Sequence, residues 1–172
     1  NTCNLEPSEK FMIKAFFGHL KTILIHKYWV FIYCCKLAIP WQGITHDMSK
    51  FSWTEFSESV KYYQGGNISP IPAVKAALGY SKAWQHHKGR NKHHYEYWTD
   101  NYDSGTTYIE IPEKYVRELV ADWFAAGRTY NGKEFTIDDE LKWWNDCKDS
   151  KFIHPNTKKR ITELMTALKY LS

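Results

Sequence analysis

The stretch from Glu9 to about Leu37 constrains this chain more than any other. It contains no proline and a single glycine, Gly18. Apolar residues recur through it at helical spacing, at Phe16, Leu20, Ile23 and Val30. Ser8, after Pro7, stands where an N-cap belongs, and Pro40 and Gly43 close the run. A helix this long leaves the rest of the chain to be arranged along it. Residues 22 to 40 are apolar enough to raise the question of a membrane span. His26, Lys27 and Lys36 would be costly in hydrocarbon, so a buried amphipathic helix is the better reading and no membrane is expected.

Helix signals continue downstream. Ser52 followed by Glu55 matches a capping box, so a second helix starts at Ser52 or slightly before. "GGNISPIP", residues 65 to 72, reads as a loop. A third helix runs from Ala73 toward His87, ended or weakened by Gly89, or bent on to Trp98. "TDNYDSGTT" is a second loop, and "YIEIP" a short strand or extended chain before Pro112. The next helix spans Pro112 to Gly127, with Tyr115, Leu119 and Trp123 along one side. Thr136 caps "TIDDELKWWNDCK", and a last helix covers Asn156 to Leu171. The expectation is an all-α, single-domain helical bundle over residues 1–172. Its core spans about 10–130, with the helices of 136–171 packed on it. At 172 residues the chain is long enough to bury roughly 70% of its unfolded surface.

Charge narrows the partners. The net charge of +4, with 19 acidic residues, is too mild for a nucleic-acid footprint by itself. Small basic clusters at Lys88, Arg90 and Lys92, and at Lys158, Lys159 and Arg160, suit a phosphorylated small molecule as well as a DNA face. Cys3, Cys34, Cys35 and Cys147 form no CxxC spacing, which suggests a reducing, cytoplasmic compartment. The opening "NTCNLEPSEK" lacks the basic region and apolar run of a signal peptide. Aromatics make up 17% of the chain, so rings should wall any cavity.

Chemistry concentrates in four places. His26 lies on the long helix, seven residues after His19 and on nearly the same face; the bland alternative is a core histidine. "ITHDMSKF", residues 44 to 51, places His46 beside Asp47, with Lys50 three residues on. Imidazole and carboxylate are sound ligands for divalent transition metals, although Asp47 could merely cap a helix. In "AWQHHKGRNKHHYEYW", residues 83 to 98, helical geometry would align His87, Asn91 and His94 on one stripe, and His86, Arg90 and His93 on the next. That stretch could equally be a solvated polar helix. In "ELVADW", Glu118 and Asp122 share a helix face. Asp122, between Ala121 and Trp123, wants a cation, with Arg128 or Lys114 as the ordinary candidates.

The strings "HKYWVF", "HDMSKFSWTEF", "AWQHHKGRNKHHYEYW" and "ELVADW" resemble the motifs of an uncharacterised bacterial and phage family, domain of unknown function 5662. That resemblance covers about residues 26 to 125 and implies no activity. More distantly, "HDMSK" is similar to the HD-x-G-K run of the HD metal-dependent phosphohydrolase superfamily, with Ser49 where glycine is often found. This second resemblance implies an HD-domain-like fold and metal ligands at His26, His46, Asp47 and Asp122. It adds His87 and His94 where a second ion is bound.

The expected function is therefore a phosphohydrolase acting on a nucleotide or other small phosphate ester. It would use one or two divalent ions (Mn, Fe, Co, Zn or Mg). Asp47 would orient a water and Lys50 would face the phosphate. Arg90 and Asn91 would take further phosphoryl oxygens, and Trp84, Tyr95 and Trp98 would stack on a base. One alternative is a diiron oxygenase of the same superfamily. Another is a phage-type module, without catalysis, that binds nucleotide, nucleic acid or protein. Oligomeric state is left open.

Overall fold

The computed structural model of the protein describes residues 8–65 and 68–171. Pro7, Cys3 and most of the N-terminal decapeptide, like Gly66 and Asn67 of the first expected loop, lie outside them. The long helix α1 runs Glu9–Lys36. Ser8 caps it, its Oγ accepting from the Phe11 N–H at 3.3 Å. The far end closes as a Schellman turn: Ile39 N–H donates to Cys34 O at 2.9 Å and Ala38 N–H to Cys35 O at 3.1 Å. Ala38 takes the left-handed position, φ 59°, where glycine carries no Cβ penalty. Ala38→Gly should therefore raise stability by about 1 kcal/mol, read as a higher urea midpoint at unchanged slope.

Pro40 and Gly43 do more than end α1, which corrects the first reading. They build a second short helix, α2 (Pro40–Thr45), with Pro40 at its first turn. Gly43 is where α2 touches α1: a Cβ there would lie 2.9 Å from Phe31 Cα and from Cys34 Cβ. A 3₁₀ turn, Met48–Phe51, leads into α3 (Trp53–Lys61). Ser52 caps α3, its Oγ accepting from Glu55 N–H at 3.4 Å. The other half of a capping box is missing because the Glu55 carboxylate is committed to α5.

The single helix expected over 73–87 is two. α4 (Pro70–Leu78) starts inside the expected loop, at Ser69–Pro70, and stops at Gly79, φ 78°. Ser81 then caps α5 (Lys82–Arg90), which runs through Gly89 and ends at Asn91. The region of the second expected loop folds as an antiparallel hairpin, β1 (Thr99–Tyr102) on β2 (Gly105–Tyr108), with Thr99 opposite Tyr108. Of "YIEIP" only Tyr108 is in a strand. α6 (Glu113–Asn131) passes through Gly127, where a Cβ would stand 2.6 Å from the Phe135 ring. The helix end expected at Gly127 is thus a close approach between elements. α7 (Ile137–Cys147), capped by Thr136, and α8 (Pro155–Tyr170) complete a mostly-α fold.

The buried face of α1 explains how the site is positioned. Ala15, His19, Ile23, His26, Val30 and Tyr33 form one helical stripe in which imidazoles alternate with apolar groups. Its N-terminal part, with Phe56 and Val60 of α3, builds a small apolar cluster. Phe16, expected on this face, is instead partly exposed and meets Phe56 edge-on. The C-terminal part joins Leu119, Val120 and Phe124 of α6, Trp144 of α7 and Ile161, Met165 and Leu168 of α8 in the main core. His26 falls between the two apolar bodies.

One acidic residue belongs to the packing rather than to the site. Burial of Glu140, with Asp139 beside it, raises its carboxyl to about 7. A raised carboxyl pKa stabilises the fold below the unfolded value and loses that contribution as pH climbs through the folded one. Thermal stability should therefore fall between about pH 4.5 and pH 7 by roughly 1–2 kcal/mol, and Glu140→Gln should flatten that slope.

Candidate metal centre

Three chain segments converge on His26. α2 and the turn after it bring His46 and Asp47; α5 and its exit bring His87, His93 and His94; α6 brings Glu118 and Asp122. All eight side chains are buried, His46, Asp47 and His93 at 1% exposure each. Asp47 holds a left-handed backbone, φ 52°. Aspartate tolerates that region better than most residues, and the sharp turn lets adjacent side chains face one point. Its carboxylate makes no capping bond, so the helix-cap alternative does not hold. Lys27 fixes the turn from behind, donating to His46 O at 2.5 Å and Ile44 O at 3.3 Å.

Two four-residue ligand groups emerge, and Asp47 belongs to both; a third set, His46, His93 and Glu118, joins them through its two imidazoles. His26, His46, Asp47 and Asp122 offer ligand atoms all within 4.8 Å of one another, and so do Asp47, His87, His93 and His94. In the first group His26 Nε2 lies 3.0 Å and His46 Nε2 3.3 Å from Asp122 Oδ1, with His46 Nε2 3.1 Å from Asp47 Oδ2. In the second, His87 Nε2 and His93 Nε2 lie 3.4 and 3.5 Å from Asp47 Oδ1.

These approaches are short but poorly aligned. Among the described residues, His26 Nε2, His46 Nε2, His93 Nε2, His94 Nε2 and Asp47 Oδ1 are buried with no hydrogen-bond partner, while Asp47 Oδ2 pairs with the Lys50 ammonium. A network held by shared protons would point donors at acceptors. Here nitrogens and oxygens crowd common points, as ligands around a cation do. Orphaned buried polar atoms cost about 1–3 kcal/mol each, and a cation at those points satisfies all of them together.

Protonation states agree. Burial, with Lys50 nearby, lowers His26 to about 4. Burial and the neighbouring His93 push His94 well down. Both imidazoles are thus neutral, with lone pairs to give. Burial would raise the Asp47 carboxyl, but His46, Lys50 and His87 outweigh it and hold it well below the usual range. Burial likewise opposes ionisation of Asp122, and His26 and His46 overcome it. Burial would lower His46, yet Asp47, Asp122 and Glu118 drive it well above 6.5. That shift follows from the three carboxylates packed around the ring.

Glu118 and Glu55 stand behind the ligands. Glu118 Oε1 accepts from His46 Nδ1 at 3.0 Å and meets His93 Nδ1 at 3.2 Å. Protons held on those nitrogens leave both Nε2 atoms aimed at Asp47, one in each ligand group. Glu55 does the same for His87 Nδ1 at 2.8 Å, and also takes His86 Nδ1 at 2.6 Å. Such carboxylate–imidazole pairs fix the tautomer and raise ligand basicity. Glu118→Gln is expected to weaken metal binding about 10–100-fold while leaving the helical signal intact, measured by competition with a chromophoric chelator.

A cavity of about 230 Å³ opens onto the centre. Lys50 lines it with His19, Tyr63, Trp84 and Tyr130, and Lys50 Nζ rests 2.6 Å from Asp47 Oδ2. Trp84 stands against His94, ring centroids 5.1 Å apart. Arg90 and Asn91 do not line this cavity. α5 turns Arg90 outward to donate to His86 Nε2 at 2.7 Å, and Asn91 Nδ2 donates to Ser49 Oγ at 2.8 Å and His87 O at 2.9 Å. Asn91 thus braces the turn at Ser49, and Arg90 braces His86. Trp98 donates its indole N–H to Lys92 O, and Tyr95 sits under Lys151. Neither ring lines the cavity. Arg128 and Lys114 rest over Trp29 and Tyr115, so neither is the cation for Asp122.

His93 and Glu118 acquire roles that spacing alone did not assign. The stripe of His87, Asn91 and His94 presumed an unbroken helix. α5 ends at Asn91, the phase resets, and His87, His93 and His94 meet while His86 turns to Glu55. For Glu118 a signal was present: it sits four residues before Asp122 on an apolar helix, and both are buried.

Comparison with known proteins gives one match. A family model described as a family of unknown function, DUF5662, covers residues 15–167. No curated protein and no solved structure matches the chain.

Proposed function

The chain belongs to the DUF5662 family of unknown function, so its activity must be read from its own site, and we propose a metal-dependent phosphohydrolase acting on a nucleotide or other small phosphate ester. The observation that carries this reading is the pair of buried ligand groups joined at Asp47, with an ammonium, Lys50, lining the same cavity beside that carboxylate. The chain order His26, His46-Asp47, His87, His93-His94, Asp122 supports an HD-like arrangement. His26, His46, Asp47 and Asp122 would hold one divalent ion, and Asp47, His87, His93 and His94 a second. A set rich in imidazole and without thiolate favours Mn, Fe, Co or Zn over Mg.

Metal bound there supplies Lewis acidity and lowers the pKa of water toward about 7. The protein's own groups do the rest. Asp47 would orient the attacking water, whose proton is released to solvent. Lys50 leaves Asp47 to meet a phosphoryl oxygen as a point charge. Trp84 and Tyr63 line the cavity, and Ile68, Pro70 and Ile71 give it an apolar wall. Its volume of about 230 Å³ is below the usual range for drug-sized ligands. It favours a small ester, or a larger substrate whose leaving group stays outside. The free Cys34, Cys35 and Cys147 fit a reducing, cytoplasmic setting. No helix of the described residues is long and apolar enough to cross a membrane.

The test is elemental analysis of the purified protein, then phosphate release from nucleoside monophosphates and simple aryl phosphates with each ion. Turnover that requires the ion and disappears with chelator is expected. A metal-loaded protein inert toward every ester would end the proposal. A second reading has its own support in the three imidazoles of the His87, His93 and His94 group, a set that suits iron. Two bound irons with substrate-dependent oxygen consumption would favour an oxygenase.

A further inference from the structure

α1 is apolar on two opposite faces. One carries Ala15, Ile23 and Val30 into the core. The other presents Phe17, Leu24, Tyr28 and Phe31, exposed by 64, 53, 58 and 37%. A helix that is apolar all round is normally buried on both sides. The exposed positions, with Ile13, recur at steps of three, four and seven residues, the spacing of a helix–helix seam.

The stripe does not end at the helix border. α2 lies against α1 where Gly43 meets Phe31, and it exposes Trp41 and Ile44 by 69 and 53%. Met48, 57% exposed, reaches Lys27 Nζ at 3.6 Å. Lys27 is turned inward to backbone carbonyls, so its charge does not interrupt the patch.

We propose that this face is the dimer interface between two copies of the chain, α1 packed on α1 across a two-fold axis. At about 200 Å² for a whole aromatic side chain, the exposed rings and aliphatic groups add up to roughly 800 Å². That is what each side of a standard-size interface contributes, and more than the about 300–600 Å² of a typical monomer's largest patch. Seam periodicity over most of a helix 28 residues long fits a partner helix, and the area matches what each copy brings to a stable dimer. Ile44 and Met48 bracket His46 and Asp47 in the chain, so pairing would also cover the outer side of the turn that presents those ligands.

Sedimentation equilibrium of the whole chain across the micromolar range decides this. The expected mass is that of a dimer. Phe17→Glu with Leu24→Glu should shift it to a monomer, with unchanged circular dichroism and metal content. Tyr28→Lys is the second variant if the double change does not fold. A wild-type monomer throughout that range, or a dimer that both variants leave intact, overturns the proposal. Lys14 and Lys21 flank the stripe, so flotation with anionic phospholipid vesicles is the second arm. A monomer that floats assigns the face to a membrane surface instead.

Discussion

Asp47→Asn protein is expected to emerge folded, free of metal and inactive. Asp47 is the single side chain shared by both ligand groups, so its loss weakens both at once. Asparagine is the right probe because it keeps the volume and tolerates the left-handed backbone at φ 52°. Alanine would confound the experiment, adding about 1–2 kcal/mol of backbone strain. In the wild type, saturating metal should raise the melting temperature by about 10 °C over the chelated protein. This follows from about 4 kcal/mol of linkage at a thousandfold excess over Kd and 2–4 °C per kcal/mol for a chain of this size. In Asp47→Asn that difference should vanish, and turnover should fall by at least about 10²–10³-fold, the loss seen when one strong electrostatic stabiliser is removed. Full metal content, or turnover within tenfold of wild type, would remove Asp47 from the centre.

What could be read from residues alone follows a physical boundary. Caps are local, made within three or four residues, and Ser8, Ser52 and Thr136 do cap α1, α3 and α7. The stripe holding His19 and His26 follows from helical period. His46-Asp47 and Asp122 stand out because a carboxylate among apolar neighbours needs a cation. Glycine is the ambiguous letter: Gly79 stops a helix, whereas Gly89 and Gly127 lie inside helices. Gly43 and Gly127 serve close approach between elements, and nothing nearby in the chain announces the partner. Arg90 and Asn91 show the same limit. Their chemistry suits phosphate, but direction depends on where α5 ends and on His86 and Ser49 being within reach. The carboxylates behind the imidazoles, Glu55 and Glu118, act across 25 residues of chain (Glu118 to His93) up to 72 (Glu118 to His46), a separation no local pattern encodes.

The number of ions turns on His93, the residue that helical spacing set aside. His93 belongs to the group with Asp47, His87 and His94, whereas His26 belongs to the other. His93→Gln keeps much of the side-chain volume and a donor toward Glu118 but gives up the ring nitrogen that faces Asp47. If both groups bind metal, the wild type should carry two ions per chain. His93→Gln and His26→Gln should then each carry one, and each should lose most turnover. If a single ion sits among His26, His46, Asp47 and Asp122, His93→Gln should keep it and His26→Gln should lose it. Elemental analysis against protein quantified by amino-acid hydrolysis separates these outcomes. His46 gives the internal control, because Glu118 holds it from behind and its removal should damage the first group while loosening His93 in the second. A wild type with one ion per chain, kept by His93→Gln with undiminished turnover, would show that the second group is a buried polar network and not a binding site.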